Sequence, residues 1–354
     1  MNSASAPGRI SIDTGGTFTD IVMEMPEGVL SLHKTPTTPQ EPVQGILTGL
    51  RELAARTGLE LSEALRRTGL IVHGTTRATN AVLTGTAART AFITTSGHPD
   101  ILSFRMGGRE QPFRHDREFP APYVPRELTF QVPERVDWRG TVIRPLDEAA
   151  VARVAEQLLQ AQVEAVGVCL LWSVVNGAHE RRVGEILQAC APNLPVTLSH
   201  ELNPVIREYH RASAACIDAS LKPLMSGYMS GLRSRLQEVG FAGELLVASV
   251  GGGLVDPDEL ARAPIQSLNS GPALAPIAGR HYAALEGDSA YAIVVDAGGT
   301  SFDVSVVRSG RIPRTRESWL GERFVGHITG FPSVDVRTTG SGGGSIATVD
   351  SGGL

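Results

Sequence analysis

Aromatic residues make up only 5% of this 354-residue chain, and there are just three cysteines. Cys169, Cys190 and Cys216 are odd in number, far apart and set among apolar neighbours. That pattern excludes a disulfide scaffold and reads as buried free thiols in a reducing cytoplasm. No apolar run approaches the roughly 18 residues that a membrane helix needs. The segment Met1 to Pro7 lacks a basic stretch followed by an apolar one, so it is not a signal peptide. The net charge of −5 gives no excess of positive charge, which excludes a nucleic-acid-binding surface. The sequence has no His-Glu-x-x-His and no Cys-x-x-Cys, so it carries no close-spaced metal cluster. It also has no Gly-x-Ser-x-Gly elbow for a serine nucleophile.

What remains is a globular composition rich in turns, with 42% hydrophobic residues, 39 Gly and 22 Pro. The length predicts two or three domains. Within it one signature occurs twice. Asp13-Thr14-Gly15-Gly16-Thr17-Phe18-Thr19-Asp20 lies near one end, and Asp296-Ala297-Gly298-Gly299-Thr300-Ser301-Phe302-Asp303 near the other. Each is flanked by β-branched residues, so each reads as strand, tight turn, strand. The glycines let the backbone take positive φ or come close to a ligand. Successive N–H groups in such a turn form an anion-binding concavity, to which Thr17 and Thr300 add hydroxyls. Asp13 and Asp296 would repel a bare phosphate. They make sense beside a cation, most naturally Mg²⁺ (or Mn²⁺) holding phosphate oxygens. A matched pair of turns points to a duplicated unit, two lobes closing on one phosphate-bearing ligand.

Strand and helix signals alternate along most of the chain, which predicts an α/β class. Residues 39–65 read as helix with a break near Gly58, and 70–74 as a buried strand. A helix follows, with Thr75 or Thr76 as its N-cap and a possible anion donor. Residues 104–146 read as an extended excursion with short strands, from which Arg105 and Arg109 are candidates to reach the cleft. Residues 195–200 read as a strand, and 204–236 as a long helix broken near Pro223. Ser270-Gly271-Pro272 precedes a helix of small residues and is a second candidate phosphate or adenosine contact. Gly340 to Ser345 forms another candidate turn. Asp20 and Asp303 either join the site or only fix the turns. His73, His200, Glu201, Glu208 and Arg211 interrupt apolar segments and read as satisfied buried polar groups.

Several segments, in order, resemble the hydantoinase A/5-oxoprolinase family, whose members include N-methylhydantoinase A and subunits of ketone carboxylases. They are Gly8 to Asp20, His73-Gly74-Thr75-Thr76 with Ala78-Thr79-Asn80-Ala81, Thr94 to Gly97, Pro133 to Val136, Ser199-His200-Glu201 with Arg207-Glu208-Tyr209 and Arg211, Ser270 to Ala273, Asp296 to Ser301, and Gly342 to Ser345. The resemblance implies a two-lobed actin/sugar-kinase-like (ribonuclease H-like) nucleotide fold, with a phosphate loop in each lobe. It implies a hydantoinase/oxoprolinase N-terminal domain over 1–190 and a hydantoinase A-type domain, incomplete, over 191–354. It implies ATP and Mg²⁺, with Asp13 and Asp296 at the metal. Gly15, Gly16, Thr17, Thr75, Thr76, Ser270, Gly271, Gly298, Gly299 and Thr300 would lie around the nucleotide. The implied reaction is phosphorylation of a carbonyl or enolate oxygen in a small molecule. A cyclic amide such as a hydantoin or 5-oxoproline is then opened by water, or a ketone is carboxylated. The implied partner is a B-type subunit. A non-catalytic ATP-binding module is the alternative from another class. Family members run further than this chain, so a fragment is expected. The chain departs from the family pattern at Val250 and over Ser213 to Cys216, which bears on the acceptor pocket.

Overall fold

The computed structural model describes residues 7–38, 40–107, 113, 116, 119–287, 290–298, 302–340, 342–346 and 348–349. Its first unit is a meander: β1 (Gly8–Thr14), β2 (Phe18–Glu24) and β3 (Leu30–Pro36). Alternation in β1 buries Ile10 and Ile12 and turns Arg9 and Ser11 outward. Two helices, α1 (Pro42–Arg56) and α2 (Leu61–Arg66), then cover the buried face, separated at Gly58, whose φ is +76°. Ile46, Leu50 and Leu53 on one stripe of α1 meet Ile10, Ile12 and Ile21. The chain returns through β4 (Thr68–Thr75), parallel to β1, and enters α3 (Arg77–Leu83).

A second sheet follows, made of β5 (Thr90–Thr95), β6 (Thr129–Val132), β9 (Ala165–Cys169) and β10 (Val196–Leu198). Its order is β10-β9-β5-β6, and all pairings are parallel. Between β5 and β6 lies the short α4 (Ile101–Phe104). Between β6 and β9 come the hairpin β7 (Arg135–Val136) and β8 (Val142–Arg144), then α5 (Glu148–Gln160). Between β9 and β10 comes α6 (Ala178–Cys190). Crossover helices between parallel strands are what this alternation requires.

Helix α7 (Ser199–Leu202) leads to α8 (Glu208–Glu238), the spine of the molecule. Tyr209, Ala212 and Cys216 pack in the core of the second sheet. Ile217, Leu221 and Met225 pack with α3, and Leu232 and Leu236 reach the core of the first sheet. Gly167 in β9 permits a close approach: a Cβ there would lie 2.9 Å from the Cys216 nitrogen.

After α8, β11 (Glu244–Ala248) and β12 (Leu254–Val255) complete the first sheet in the order β12-β11-β4-β1-β2-β3. Helices α9 (Pro257–Arg262) and α10 (Ser270–Leu285) lead to the second signature. There β13 (Ala292–Ala297), β14 (Phe302–Val307) and β19 (Val336–Thr339) form a three-stranded antiparallel sheet. Between β14 and β19, β15 (Arg314–Thr315) pairs with β18 (Ser333–Val334), and β16 (Trp319–Leu320) with β17 (His327–Ile328).

Four expectations are corrected here. The helix is not broken at Pro223, because buried Leu221 and Met225 on either side hold it in place despite the lost hydrogen bond. Residues 204–207 precede that helix rather than belong to it. The strand at 195–200 is only Val196–Leu198, since Ser199 and His200 turn into α7 to reach Glu180. Of the three cysteines, Cys169 and Cys216 are buried but Cys190, at the end of α6, is exposed.

Candidate functional site

The two signatures fold into hairpins of the same register. In the first, Asp13 stands opposite Asp20 and Thr14 opposite Thr19. In the second, Asp296 stands opposite Asp303 and Ala297 opposite Phe302. The first turn is closed by the Gly15 N–H donating to the Phe18 carbonyl at 2.9 Å. It is pinned by Thr37, just past the end of β3, whose N–H donates to the Thr17 carbonyl (2.9 Å) and whose hydroxyl donates to the Gly15 carbonyl (3.0 Å). Neither Gly15 nor Gly16 has positive φ, so the expected left-handed turn is not what the glycines provide. They provide closeness: a Cβ on Gly15 would sit 3.1 Å from the Phe18 carbonyl oxygen, and one on Gly16 3.5 Å from the Asn80 amide nitrogen. The N–H groups of Gly16 and Thr17 donate to nothing among the described residues, and Thr17 is exposed at the tip. Gly299 and Thr300 lie outside the described residues, as does Arg109. Gly298 is described; its carbonyl accepts the Gly343 N–H at 2.9 Å, which sets the Gly342 to Ser345 turn against the second signature.

The two signature carboxylates lie within electrostatic reach of each other. Partial desolvation raises the Asp13 carboxyl above the usual carboxylate range, and the charges of Asp20 and Asp296 push it further up, against an opposing pull from Lys34. Asp20 is itself tied to Lys34 at 2.8 Å, and Asp303 accepts from the Thr338 hydroxyl. Those two acids therefore brace their hairpins.

Beside the first turn, the end of β4 delivers Thr75 and Thr76. Thr76 occupies the N-cap of α3, but its side chain makes no capping bond. Its backbone N–H donates to the Thr14 carbonyl (3.1 Å) and its hydroxyl accepts from Asn80 (3.2 Å). Thr75 is buried, and its hydroxyl accepts the Arg77 N–H at 3.2 Å. Beneath them the His73 Nε2 meets the Tyr228 hydroxyl at 2.8 Å. Burial lowers the His73 pKa to about 4, so the imidazole is neutral. A cavity of about 380 Å³ opens here, lined by Gly15, Gly16, Thr75, Thr76 and, from outside the signature, Thr37 and Asn80.

Ser270 begins α10 rather than preceding it. Its hydroxyl is buried and has no partner among the described residues. Asn269 before it takes the left-handed conformation, φ +53°, and its N–H donates to Thr79 of α3 at 3.0 Å. Thus the starts of α3 and α10 adjoin. A Cβ on Gly271 would meet open space.

Other candidates are structural. Arg105 is buried and donates to the carbonyls of Ala121, Phe324, Val325 and Gly326, stapling the excursion to the last third of the chain instead of reaching the cleft. Arg211 is fully buried and donates to Ser173, Ser199 and the Leu170 carbonyl. Glu180 accepts from Leu170, Ser199 and His200, the last through Nδ1 at 2.6 Å. Glu201 is exposed and Glu208 half-buried, so neither is the buried group expected. Ser213 to Cys216 are buried within α8 and line neither cavity beside the turn, so that departure concerns the core and not an acceptor pocket.

Comparison with known proteins identifies the family. The family model described as "Hydantoinase/oxoprolinase N-terminal region" matches residues 9–191, and that described as "Hydantoinase/oxoprolinase" matches 211–354. The chain belongs to the hydantoinase/oxoprolinase family. Within that family it is 35% identical to caprolactamase subunit alpha of Pseudomonas jessenii, over 98% of this chain and 49% of the relative. It is 32% identical to the acetophenone carboxylase gamma subunit of Aromatoleum aromaticum, over 99% of this chain and 49% of the relative. The crystal structure of the ATP-dependent caprolactamase from P. jessenii superposes with a TM-score of 0.88 over 98% of this chain and 50% of that one. Nucleotide-free acetone carboxylase superposes with a TM-score of 0.80 at 27% identity, over 97% and 49%. The two-lobed, actin-like α/β architecture is therefore shown, and the chain spans about half the length of the relatives it matches.

The donor set of this family member fits a metal held partly by a ligand. Among the described residues no three His, Cys, Asp or Glu converge into a cage. Asp296 lies close enough to Asp13 to raise the Asp13 carboxyl. Mg²⁺ is characteristically held by one or two carboxylates, with water and phosphate oxygens completing its shell. Sequence reasoning missed Thr37, Asn80 and Arg77 around the turn. Asn80 and Arg77 lie inside the signature stretch after His73, but nothing in the sequence ties Thr37 to Gly15.

Proposed function

We propose that this chain binds Mg²⁺·ATP between its two signature hairpins and activates a carbonyl oxygen of a small molecule by phosphorylation. The substrate we assign is a cyclic amide, whose ring water opens once the carbonyl is activated. The observation that carries this reading is the pair of hairpins in one register, with Asp296 close enough to Asp13 to raise its carboxyl. The ATP-dependent caprolactamase, 35% identical, supports the amide. The acetophenone carboxylase gamma subunit, at 32%, supports a second reading, in which an enolate oxygen is phosphorylated and the ketone carboxylated.

In this reading Asp13 and Asp296 would hold Mg²⁺, which neutralises phosphate oxygens when bound. Gly16 and Thr17 aim unpaired N–H groups at the same oxygens, and Thr17 adds its hydroxyl. Thr76 and the unpartnered Ser270 hydroxyl mark two adjoining helix starts, where backbone dipoles favour negative charge. Positioning and charge neutralisation carry most of the catalysis in phosphoryl transfer. A B-type subunit completes the reaction, as the relatives' designations as subunits suggest.

Calorimetry with Mg²⁺·ATP tests the reading. Wild type is expected to bind, and Asp13→Ala to lose at least tenfold in affinity. Equal binding by both would overturn the assignment. ATP turnover with caprolactam, hydantoin, 5-oxoproline, acetone or acetophenone, in the presence of the partner subunit, separates the amide from the ketone. Binding without turnover on any of them would favour a non-catalytic module.

A further inference from the structure

A second cavity, of about 560 Å³, adjoins the one at the signature turn. The two share Pro42, Arg77 and Leu224. Arg77 therefore stands at the waist between them, its guanidinium carbon 5.3 Å from the centre of the Tyr228 ring. Past that waist Pro42 and Val43 at the start of α1 and Pro223, Leu224 and Tyr228 on α8 form an apolar wall, beside which Gln44 adds one amide. The exposed Gln40, Glu41 and Arg235 form the rim. Neither Asp13 nor Asp296 lines this space.

Gly227 and Gly231 lie one turn apart on the cavity side of α8. Glycine in a helix interior is unfavourable relative to alanine. Elsewhere in this fold glycine relieves a crowded approach, as Gly167 does against Cys216. Here a Cβ at either position would meet nothing within 4 Å, so no protein contact asks for glycine. What the two glycines do is leave room along the cavity wall.

We propose that this cavity binds the carbonyl substrate, and that its chemical class is a small, neutral, mostly apolar amide or ketone. The inference rests on the ATP-dependent reading above and adds the place and character of the acceptor. The apolar body lies against Leu224, Pro42 and the Gly227–Gly231 groove. The carbonyl oxygen accepts from Arg77, which holds it toward the Gly15–Gly16 turn, where the phosphoryl group would be presented. A planar donor at the mouth of an apolar pocket of this size is the usual form of a small-molecule site.

Saturation-transfer NMR tests it, using caprolactam, hydantoin, acetone, acetophenone and the anionic 5-oxoproline as probes. The protein is the full chain with Mg²⁺ and a non-hydrolysable ATP analogue, whose own affinity is measured on the same samples. At least one neutral probe is expected to bind wild type. Gly227→Leu, which fills the groove, is expected to weaken that probe at least tenfold while nucleotide affinity stays within twofold. Arg77→Met is expected to weaken the probe by a similar factor. Gly231→Leu is the second groove variant if Gly227→Leu does not give a cooperative melt. Undiminished probe binding in a folded groove variant overturns the proposal, as does the absence of neutral probe binding in a wild type that binds nucleotide. Binding of 5-oxoproline alone overturns the neutral class. Failure of wild type to bind nucleotide instead overturns the ATP reading.

Discussion

His73 shows how one residue couples the signature turn to pH. It is fully buried beneath Thr75, and its ring meets Tyr228 at 2.8 Å. Burial lowers its pKa from 6.5 to about 4, against a smaller opposing pull from the Ile12 backbone. The folded chain therefore resists protonation that the unfolded chain accepts. The stabilisation is complete above pH 6.5 and is lost as pH falls toward 4. At about 1.4 kcal/mol per unit, His73 accounts for about 3 kcal/mol of acid destabilisation over that window. His73→Gln should flatten this part of the profile, measured as the urea midpoint between pH 7 and 4. An unchanged slope would mean that the imidazole is not held neutral. His73 was legible as a buried polar group because it interrupts an apolar strand. Its partner Tyr228 was not, since no local pattern links residues 155 positions apart.

Elements show the same division between local and tertiary signals. The strands and most helices were legible because each buries one periodic stripe, as α1 does with Ile46, Leu50 and Leu53. Helix α8 was misread because the proline rule describes an exposed helix, whereas this one threads three cores. Its glycines permit a direct check. Gly231→Ala adds a methyl into open space and removes a flexible residue from a helix interior, so it should stabilise by about 0.5–1 kcal/mol. Gly167→Ala forces a methyl to 2.9 Å from the Cys216 nitrogen and should destabilise by about 1–3 kcal/mol. Urea denaturation of both variants measures the contrast. Equal effects would mean that helix and strand are not held as tightly as described.

At the scale of the whole molecule, the candidate site depends on two hairpins in separate sheets coming within electrostatic reach of each other. Repetition made the hairpins legible, since both Asp and both Gly recur at the same spacing. Repetition could not show that Asp296 comes within reach of Asp13, nor that Thr37 and Asn80 complete the first turn, because those are consequences of packing. The meeting of the hairpins has a measurable signature. Without ligand, Asp296 raises the Asp13 carboxyl by like-charge repulsion, so Asp296→Ala should lower the Asp13 pKa in an NMR titration. With Mg²⁺·ATP the two carboxylates act on one ion, so their contributions should not be independent. Asp13→Ala and Asp296→Ala should each weaken binding at least tenfold, about 1.4 kcal/mol. The double variant should then lose clearly less than the product of the two factors, since the first removal already forfeits the shared ion. Asp20→Ala, which removes a partner of Lys34 and one of the charges that raise the Asp13 carboxyl, should cost less than threefold. Losses that multiply in the double variant would mean that the two hairpins bind separately, and the shared cleft would have to be abandoned.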